Sequence, residues 1–128
     1  MRFKTLLVLK AVVALLFGPL LLFAPGWLFG LLGTTLGDVG AFAAREYGAA
    51  MCGILVLTWL ARDMRSAGAR RPILVALLVY DAIGFVITTQ AVVSHVLNPL
   101  GWAIAFVYLF FTVGPAYVLM QEGRTKQA

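Results

Sequence analysis

The chain has few of the residues on which most enzymes depend. It contains one cysteine, one histidine and five acidic residues among 128. The lone Cys52 has no partner for an internal disulfide or a CxxC redox pair, and five carboxylates leave little scope for acid–base catalysis. The HExxH, P-loop and GxSxG signatures are also missing from the sequence. We therefore predict that the protein is not an enzyme, with no metal site and no cofactor required by the sequence.

Charge is scarce as well. Charged residues make up 12% of the chain and hydrophobic residues 62%, whereas a soluble domain carries about 25% charged and about 45–50% apolar residues. The formal net charge of +5 is not spread over the kind of basic face that binds nucleic acid. The composition excludes a soluble domain and predicts the lipid bilayer as the main partner, with no nucleic acid.

Long apolar runs are what the chain has instead. Four of them reach the length of about 20 residues that a helix needs to cross a bilayer. They lie at about 5–23, 41–61, 72–97 and 100–120. We predict an all-α fold, a polytopic membrane protein built as a four-transmembrane-helix bundle, with residues 1–128 as a single transmembrane domain. The apolar, glycine-rich connection at 24–40 is predicted to lie along the membrane interface.

The basic residues predict an orientation. Nine of the ten lie in or near the N-terminus, the second connection and the C-terminal tail. They are Arg2, Lys4, Lys10, Arg62, Arg65, Arg70, Arg71, Arg124 and Lys126. Because basic segments stay on the cytoplasmic side, we predict a multi-pass protein of the inner membrane with both termini cytoplasmic. The basic start resembles a secretory signal, but Lys10 interrupts the apolar run and no clean cleavage site follows, so the first run is predicted to be a membrane helix.

Two charged residues lie deep inside predicted spans. Asp81 is about nine residues into the third span, roughly 13 Å from its inner end, and Lys10 is at a similar depth in the first. Ionisable groups in a membrane helix are costly unless they are partnered. We predict an intramembrane pair of Lys10 with Asp81. The alternative is a carboxylate that carries protons, as in a small oligomeric transporter.

A second set of polar residues lies near the outer ends of the second and third spans. These candidate ligand-binding residues are Arg45, Glu46, Tyr47, His95 and Asn98. Together they would form one polar cluster that binds a headgroup, a quinone or a cofactor, since neutral histidine is a good axial ligand. His95 is the only histidine, so a bis-histidine haem site within one chain is excluded, while a single axial ligand to haem or a pigment stays open. The alternative is a hydrogen-bonded clasp between two helices.

Several stretches of the sequence resemble small bacterial four-helix membrane proteins of the broad DoxX-like type. They are the segment AREYGAAMCGILVLTWLARD, the basic loop after it, and the motifs YDAIGF and NPLGWAIAF. In those proteins an arginine and a glycine recur near the start of the second helix, which correspond here to Arg45 and Gly48. The chain is also similar in architecture to the four-helix scaffold proteins of ergosterol synthesis. The resemblance implies an association with membrane oxidoreductase systems or an assembly role, and it carries no catalytic residues over to this chain.

These observations predict a non-catalytic integral membrane protein that acts as an accessory, scaffold or assembly subunit of a membrane complex, with other membrane proteins or a second copy as partners. Small-residue pairs at helical spacing, such as Ala49 with Gly53, suit close helix packing. The alternative is a protein that binds a lipophilic ligand (a quinone, pigment, haem or lipid) at the outer-leaflet polar cluster. A weaker alternative is an oligomeric transporter built around Asp81.

Overall fold

The computed structural model describes the backbone of residues 2–127 and the side chains of residues 2–124, and this part of the chain is helical without a strand. Five helices follow one another along it. They are α1 (Phe3–Phe23), α2 (Pro25–Leu31), α3 (Asp38–Ala61), α4 (Ala67–Val93) and α5 (Gly101–Gln127). The prediction of an all-α fold is confirmed.

Four of the helices are long and apolar enough to cross a membrane. The candidate spans cover 21 residues in α1, 24 in α3, 27 in α4 and the first 24 of α5, Gly101–Arg124. At about 1.5 Å per residue each exceeds the roughly 30 Å of a hydrocarbon core. The four apolar helices indicate a multi-pass membrane protein.

The third predicted span, 72–97, is displaced in the structure, where α4 runs from Ala67 to Val93. The helix starts earlier because Ser66 caps it, with the Ala69 N–H donating to Ser66 Oγ at 3.4 Å. It ends earlier because His95 takes a φ of 62°, a left-handed conformation that cannot continue an α-helix. Pro72 therefore lies inside α4.

The other predicted bounds differ mainly at polar ends. The fourth span, predicted to end near residue 120, continues to Gln127 because its polar tail is rich in helix formers. The second span begins at Asp38 instead of 41, with its acidic residue in the first turn, where the helix dipole favours it. The connection 24–40 contains the short helix α2, which starts with Pro25 at a position that suits proline.

The long helices form two antiparallel pairs. In the described residues, α1 packs along α3 and α4 packs along α5, while α1 touches α5 and the backbones of α3 and α4 do not meet. Gly48 makes the first pair close, because a Cβ there would lie 2.7 Å from the Leu22 nitrogen and 2.9 Å from the Gly18 carbonyl oxygen. The predicted role of small residues in packing thus applies to Gly48, whereas Gly53 has nothing within 4 Å of such a Cβ.

The two pairs meet in an apolar core at the end of the bundle that carries Phe3, Ala61 and Val118, here called the terminal end. The core cluster consists of buried residues from all four long helices. They are Phe3, Leu6, Leu7, Ala61, Leu74, Leu77, Phe111 and Val118. This core holds the pairs together at one end and leaves the space between them at the other end available for a site.

The opposite end, here called the loop end, is closed by Asn98 in the turn between α4 and α5. Its Nδ2 donates to the Leu31 carbonyl at 2.9 Å, and its backbone N–H donates to the Leu32 carbonyl at 2.8 Å. Gly33, with a φ of 82°, leaves room for the Asn98 side chain, which a Cβ there would approach to 3.0 Å. Asn98 therefore ties the segment after α2 to the second helix pair.

Candidate functional site

The structure brings Lys10 and Asp81 together across the two helix pairs. Lys10 Nζ on α1 donates to Asp81 Oδ1 on α4 at 2.7 Å, and the two side chains are 2% and 0% exposed. The Lys10 ammonium also lies 4.9 Å from the ring centroid of Tyr80 and 4.7 Å from that of Phe111, so two aromatic faces supplement the ion pair. The charge of Lys10 is held in place by three groups.

Beside this pair, three tyrosines from three helices join their hydroxyls. Tyr47 on α3 shares a hydrogen bond with Tyr80 on α4 and another with Tyr108 on α5. The Tyr80 ring stands edge-on to both neighbours, with centroid separations of 6.5 Å from Tyr47 and 6.1 Å from Tyr108. Tyr80 Oη also donates to Met51 Sδ at 3.3 Å. The tyrosines thus connect α3 to the second pair, although the α3 and α4 backbones do not meet.

A cavity of about 650 Å³ lies between the two pairs, with these polar groups along one side. Lys10, Asp81 and the three tyrosines form what we call the polar floor. The walls and the side toward the loop end are apolar except for Thr88. Representative residues there are Phe17, Leu21, Phe29, Leu36, Ile87 and Leu97. An elongated apolar space that ends on a few polar groups is the usual form of a small-molecule site.

One polar atom of the floor has no partner. Asp81 Oδ2 is buried and receives no hydrogen bond from the described residues, and Thr89 Oγ1 is in the same condition. Asp81 lines the cavity, whereas Thr89 does not. Because a buried polar atom without a hydrogen bond costs free energy, Asp81 Oδ2 is the acceptor, among the residues that line the cavity, that would gain most from an additional donor.

The structure does not bring the five predicted ligand-binding residues into one cluster. Tyr47 turns to the other tyrosines, and Asn98 serves in the clasp at the loop end. Arg45, Glu46 and His95 are exposed, and no hydrogen bond or ion pair joins them to one another within residues 2–124. The reason is the pairing of the helices, because α3 and α4 belong to different pairs. Of the five residues, only Tyr47 forms a hydrogen bond between the second and third spans in the described chain, to Tyr80, while Asn98 bonds to the last residue of α2.

Sequence reasoning missed Tyr80 and Tyr108, although one signal could have found them. Four residues of α4 that line the cavity recur at helical spacing: Tyr80, Gly84, Ile87 and Ala91. Gly84 is required there, because a Cβ would overlap the ring of Tyr108. A tyrosine followed one turn later by a glycine thus marks the face of α4 that receives an aromatic ring from α5.

The donor set of the site suits an organic ligand. Among the described residues, no three His, Cys, Asp or Glu side chains lie close enough to hold a metal ion. Hydroxyls, one ammonium and one carboxylate bind by hydrogen bonds and charge. The floor can therefore orient a molecule that has one polar end and an apolar body.

No protein-family model, no curated protein and no solved structure matches this chain. The resemblance to the DoxX-like proteins stays a prediction. The function is therefore inferred from the cavity itself.

Proposed function

We propose that this membrane protein binds a lipophilic molecule in the cavity between its two helix pairs. The observation that carries the proposal is the cavity itself, apolar along its walls and polar at its floor, where Lys10 and Asp81 are buried. Its volume of about 650 Å³ is within the range of roughly 300–1,000 Å³ that ligand sites occupy. The ligand site is thus proposed for the polar floor, instead of the cluster around Arg45, Glu46 and His95.

A lipophilic ligand suits a protein whose cavity lies within the span of its membrane helices. A molecule dissolved in the bilayer would exchange lipid contacts for contacts with the apolar walls, so apolar burial alone supplies little preference. The polar floor supplies the difference, because a polar end group buried in hydrocarbon lacks hydrogen bonds that the floor provides. Binding would therefore select molecules by their polar end.

The experiment is a search for a retained ligand, with matched variants. Ala91 lines the cavity, whereas Ala103 is exposed on α5 and does not. We expect a lipophilic molecule in organic extracts of the wild-type protein and of Ala103→Phe after purification in mild detergent. Ala91→Phe, whose ring would occupy part of the cavity, should retain less of that molecule. If neither the wild type nor Ala103→Phe retains a ligand or binds an added lipophilic probe saturably, the proposal is wrong.

A second candidate function, a subunit of a membrane assembly, is favoured by the outward face of α3. Exposed residues recur there at intervals of four and three, with Phe42, Glu46, Ala49, Gly53, Val56 and Leu60 along one side. Arg45 and Glu46 lie roughly 10 Å from the start of α3 and are both exposed. Since one copy presents both signs at the same depth, a second copy related by a two-fold axis would pair Arg45 with Glu46 reciprocally.

Cysteine cross-linking in native membranes tests this contact. In a Cys52→Ala background, Gly53→Cys should give a covalent dimer on oxidation, and Val86→Cys, exposed on α4, should not. Glu46→Arg should abolish the dimer, and the exchange Arg45→Glu with Glu46→Arg should restore it. Capture of a different membrane protein in place of the dimer would overturn the second copy as partner.

We also propose that the terminal end faces the cytoplasm in an inner membrane. Support comes from the basic side chains at that end, where Arg2, Lys4, Arg70 and Arg124 surround a shallow depression that anionic lipid headgroups would meet. In a Cys52→Ala background, Ser94→Cys at the loop end should react with an impermeant maleimide in intact cells. Ser66→Cys should react only after permeabilisation, and the reverse pattern would contradict this orientation.

A further inference from the structure

One carboxylate oxygen of the polar floor has no hydrogen-bond donor among the described residues. Asp81 is 0% exposed, and its Oδ1 accepts from Lys10 Nζ at 2.7 Å. Its Oδ2 accepts no hydrogen bond from the described residues, and Asp81 is one of the residues that line the cavity. Burying a carboxylate oxygen without a hydrogen-bond donor costs free energy. This atom therefore indicates which functional group a ligand of the cavity carries.

The neighbouring polar groups make contacts with partners other than Asp81 Oδ2. The Lys10 ammonium is bonded to Oδ1 and lies between the rings of Tyr80 and Phe111. Tyr80 Oη donates to Met51 Sδ at 3.3 Å, and the three tyrosine hydroxyls bond to one another. None of these groups donates to Asp81 Oδ2 in the described residues, so a donor on the occupant of the cavity would supply the hydrogen bond.

The charge of the floor limits that occupant further. Lys10 and Asp81 form an ion pair whose formal charges cancel, and no other charged side chain of residues 2–124 lines the cavity. A phosphate or carboxylate on the ligand would bring a second negative charge to a buried carboxylate, which is strongly unfavourable at low dielectric. A ketone or an ether brings only acceptors and leaves Asp81 Oδ2 without its hydrogen bond.

We propose that the ligand is a neutral lipophilic molecule whose polar end is a hydroxyl, a long-chain alcohol or a phenol, that donates to Asp81 Oδ2. The inference rests on the proposed binding function and deepens it by naming the ligand's chemical class. The hydroxyl lies at the floor, and the apolar body extends along the walls toward the loop end.

Two isomeric probes test the inference on the wild-type protein. Dodecanol and undecyl methyl ether have the same atoms and nearly the same length, but only the alcohol donates a hydrogen bond. Equilibrium binding of each labelled probe is measured in nanodiscs, with partition into protein-free nanodiscs subtracted. Because a hydrogen bond to a charged group is among the stronger ones, we expect the alcohol to bind about tenfold more tightly or better. Equal affinities would overturn the inference.

Ala91→Phe separates failure of the inference from failure of the proposed function. If both probes bind the wild type equally and both are lost in Ala91→Phe, the cavity binds lipophilic molecules without selecting a hydroxyl. If neither probe binds the wild type saturably, the proposed function itself fails. Asp81→Asn adds a second readout, because an amide N–H in place of Oδ2 should cancel or reverse the preference for the alcohol.

Discussion

Lys10 Nζ and Asp81 Oδ1 are 2.7 Å apart, although the residues belong to helices α1 and α4, whose backbones do not meet within the described chain. The contact therefore depends on the reach of the lysine side chain across the space between the two helix pairs. It joins the pairs at the level where the apolar core of the terminal end gives way to the cavity. The pair thus has a structural role and also forms part of the proposed site.

Removing both members of this pair should destabilise the protein by less than the two single removals added together. Lys10→Met and Asp81→Asn each leave a buried charge or its partner unmatched, at a cost of about 3–5 kcal/mol. The double variant should cost less than the sum of the two single variants, by up to about 3 kcal/mol. The unfolding free energies of the two single variants and the double variant are measured in mixed detergents, with circular dichroism as the signal. Additive effects, or an unchanged stability of Asp81→Asn beside a destabilised Lys10→Met, would contradict the coupling.

Two glycines on α3 should respond in opposite ways to the same substitution. Gly48→Ala places a Cβ 2.7 Å from the Leu22 nitrogen, so α1 and α3 must separate, which typically costs about 1–3 kcal/mol. Gly53→Ala meets nothing within 4 Å and should leave the stability unchanged or raise it by up to about 1 kcal/mol. The same unfolding assay measures both. Equal losses in the two variants would show that the close approach at Gly48 is wrong.

Arg70 should matter more than the adjacent Arg71. Arg70 bonds to the Met64 carbonyl at 2.6 Å and to Glu122 at 3.2 Å, and its guanidinium lies 4.7 Å from the Phe3 ring centroid. Hydrogen bonds from charged groups contribute about 1.5–3 kcal/mol, and we expect Arg70→Ala to lose about that much. Arg71 is exposed, and Arg71→Ala should lower the unfolding free energy by less than about 0.5 kcal/mol. Similar losses in both variants would contradict the account of the terminal end.

Asp63 provides a test by pH outside the membrane spans. The hydrogen bond from Lys4, with Nζ 2.9 Å from Oδ1, lowers the pKa of the Asp63 carboxyl, and the charges of Lys4, Arg62 and Arg65 lower it further. Because the folded-state pKa lies below the unfolded-state value, the interaction stabilises the fold above the unfolded pKa. That contribution is lost as the pH falls through the lowered pKa.

Lys4→Gln should therefore raise the pKa of Asp63 toward its ordinary value, while Arg2→Gln should change it less. Carboxyl carbon shifts from NMR titration of the protein in micelles measure the pKa directly. An Asp63 pKa that does not change in Lys4→Gln would show that the Lys4–Asp63 pair does not form in solution.

The spans and the charge pair were accessible from the sequence for physical reasons. A bilayer requires long apolar helices, so hydropathy alone located the four spans. Lys10 and Asp81 were predicted to pair because both lie at a similar depth in spans that start from the same end. The structure places them in contact, since a buried charge seeks an opposite charge at its own depth.

The cavity and the tyrosine group were not predictable in the same way. Depth along a helix can be counted, but the order of helices around a bundle leaves no local signal in one chain. The predicted cluster placed Tyr47 with His95, which would require the second and third spans to lie side by side. In the structure Tyr47 faces Tyr80 and Tyr108 across the space between the pairs. Asn98, also assigned to that cluster, bonds to the last residue of α2, which no periodicity predicts.

The most direct test of the central claim is the position of a bound alcohol in the protein. Nuclear Overhauser effects between labelled dodecanol and the protein in nanodiscs report which side chains each end of the probe contacts. The account predicts contacts from the hydroxyl-bearing carbon to the rings of Tyr80 and Tyr108, and from the terminal methyl to Leu36 and Leu97 near the loop end. Contacts confined to outward residues such as Phe42 and Val86 would show that the alcohol binds only as a surrounding lipid, and the claim would be wrong.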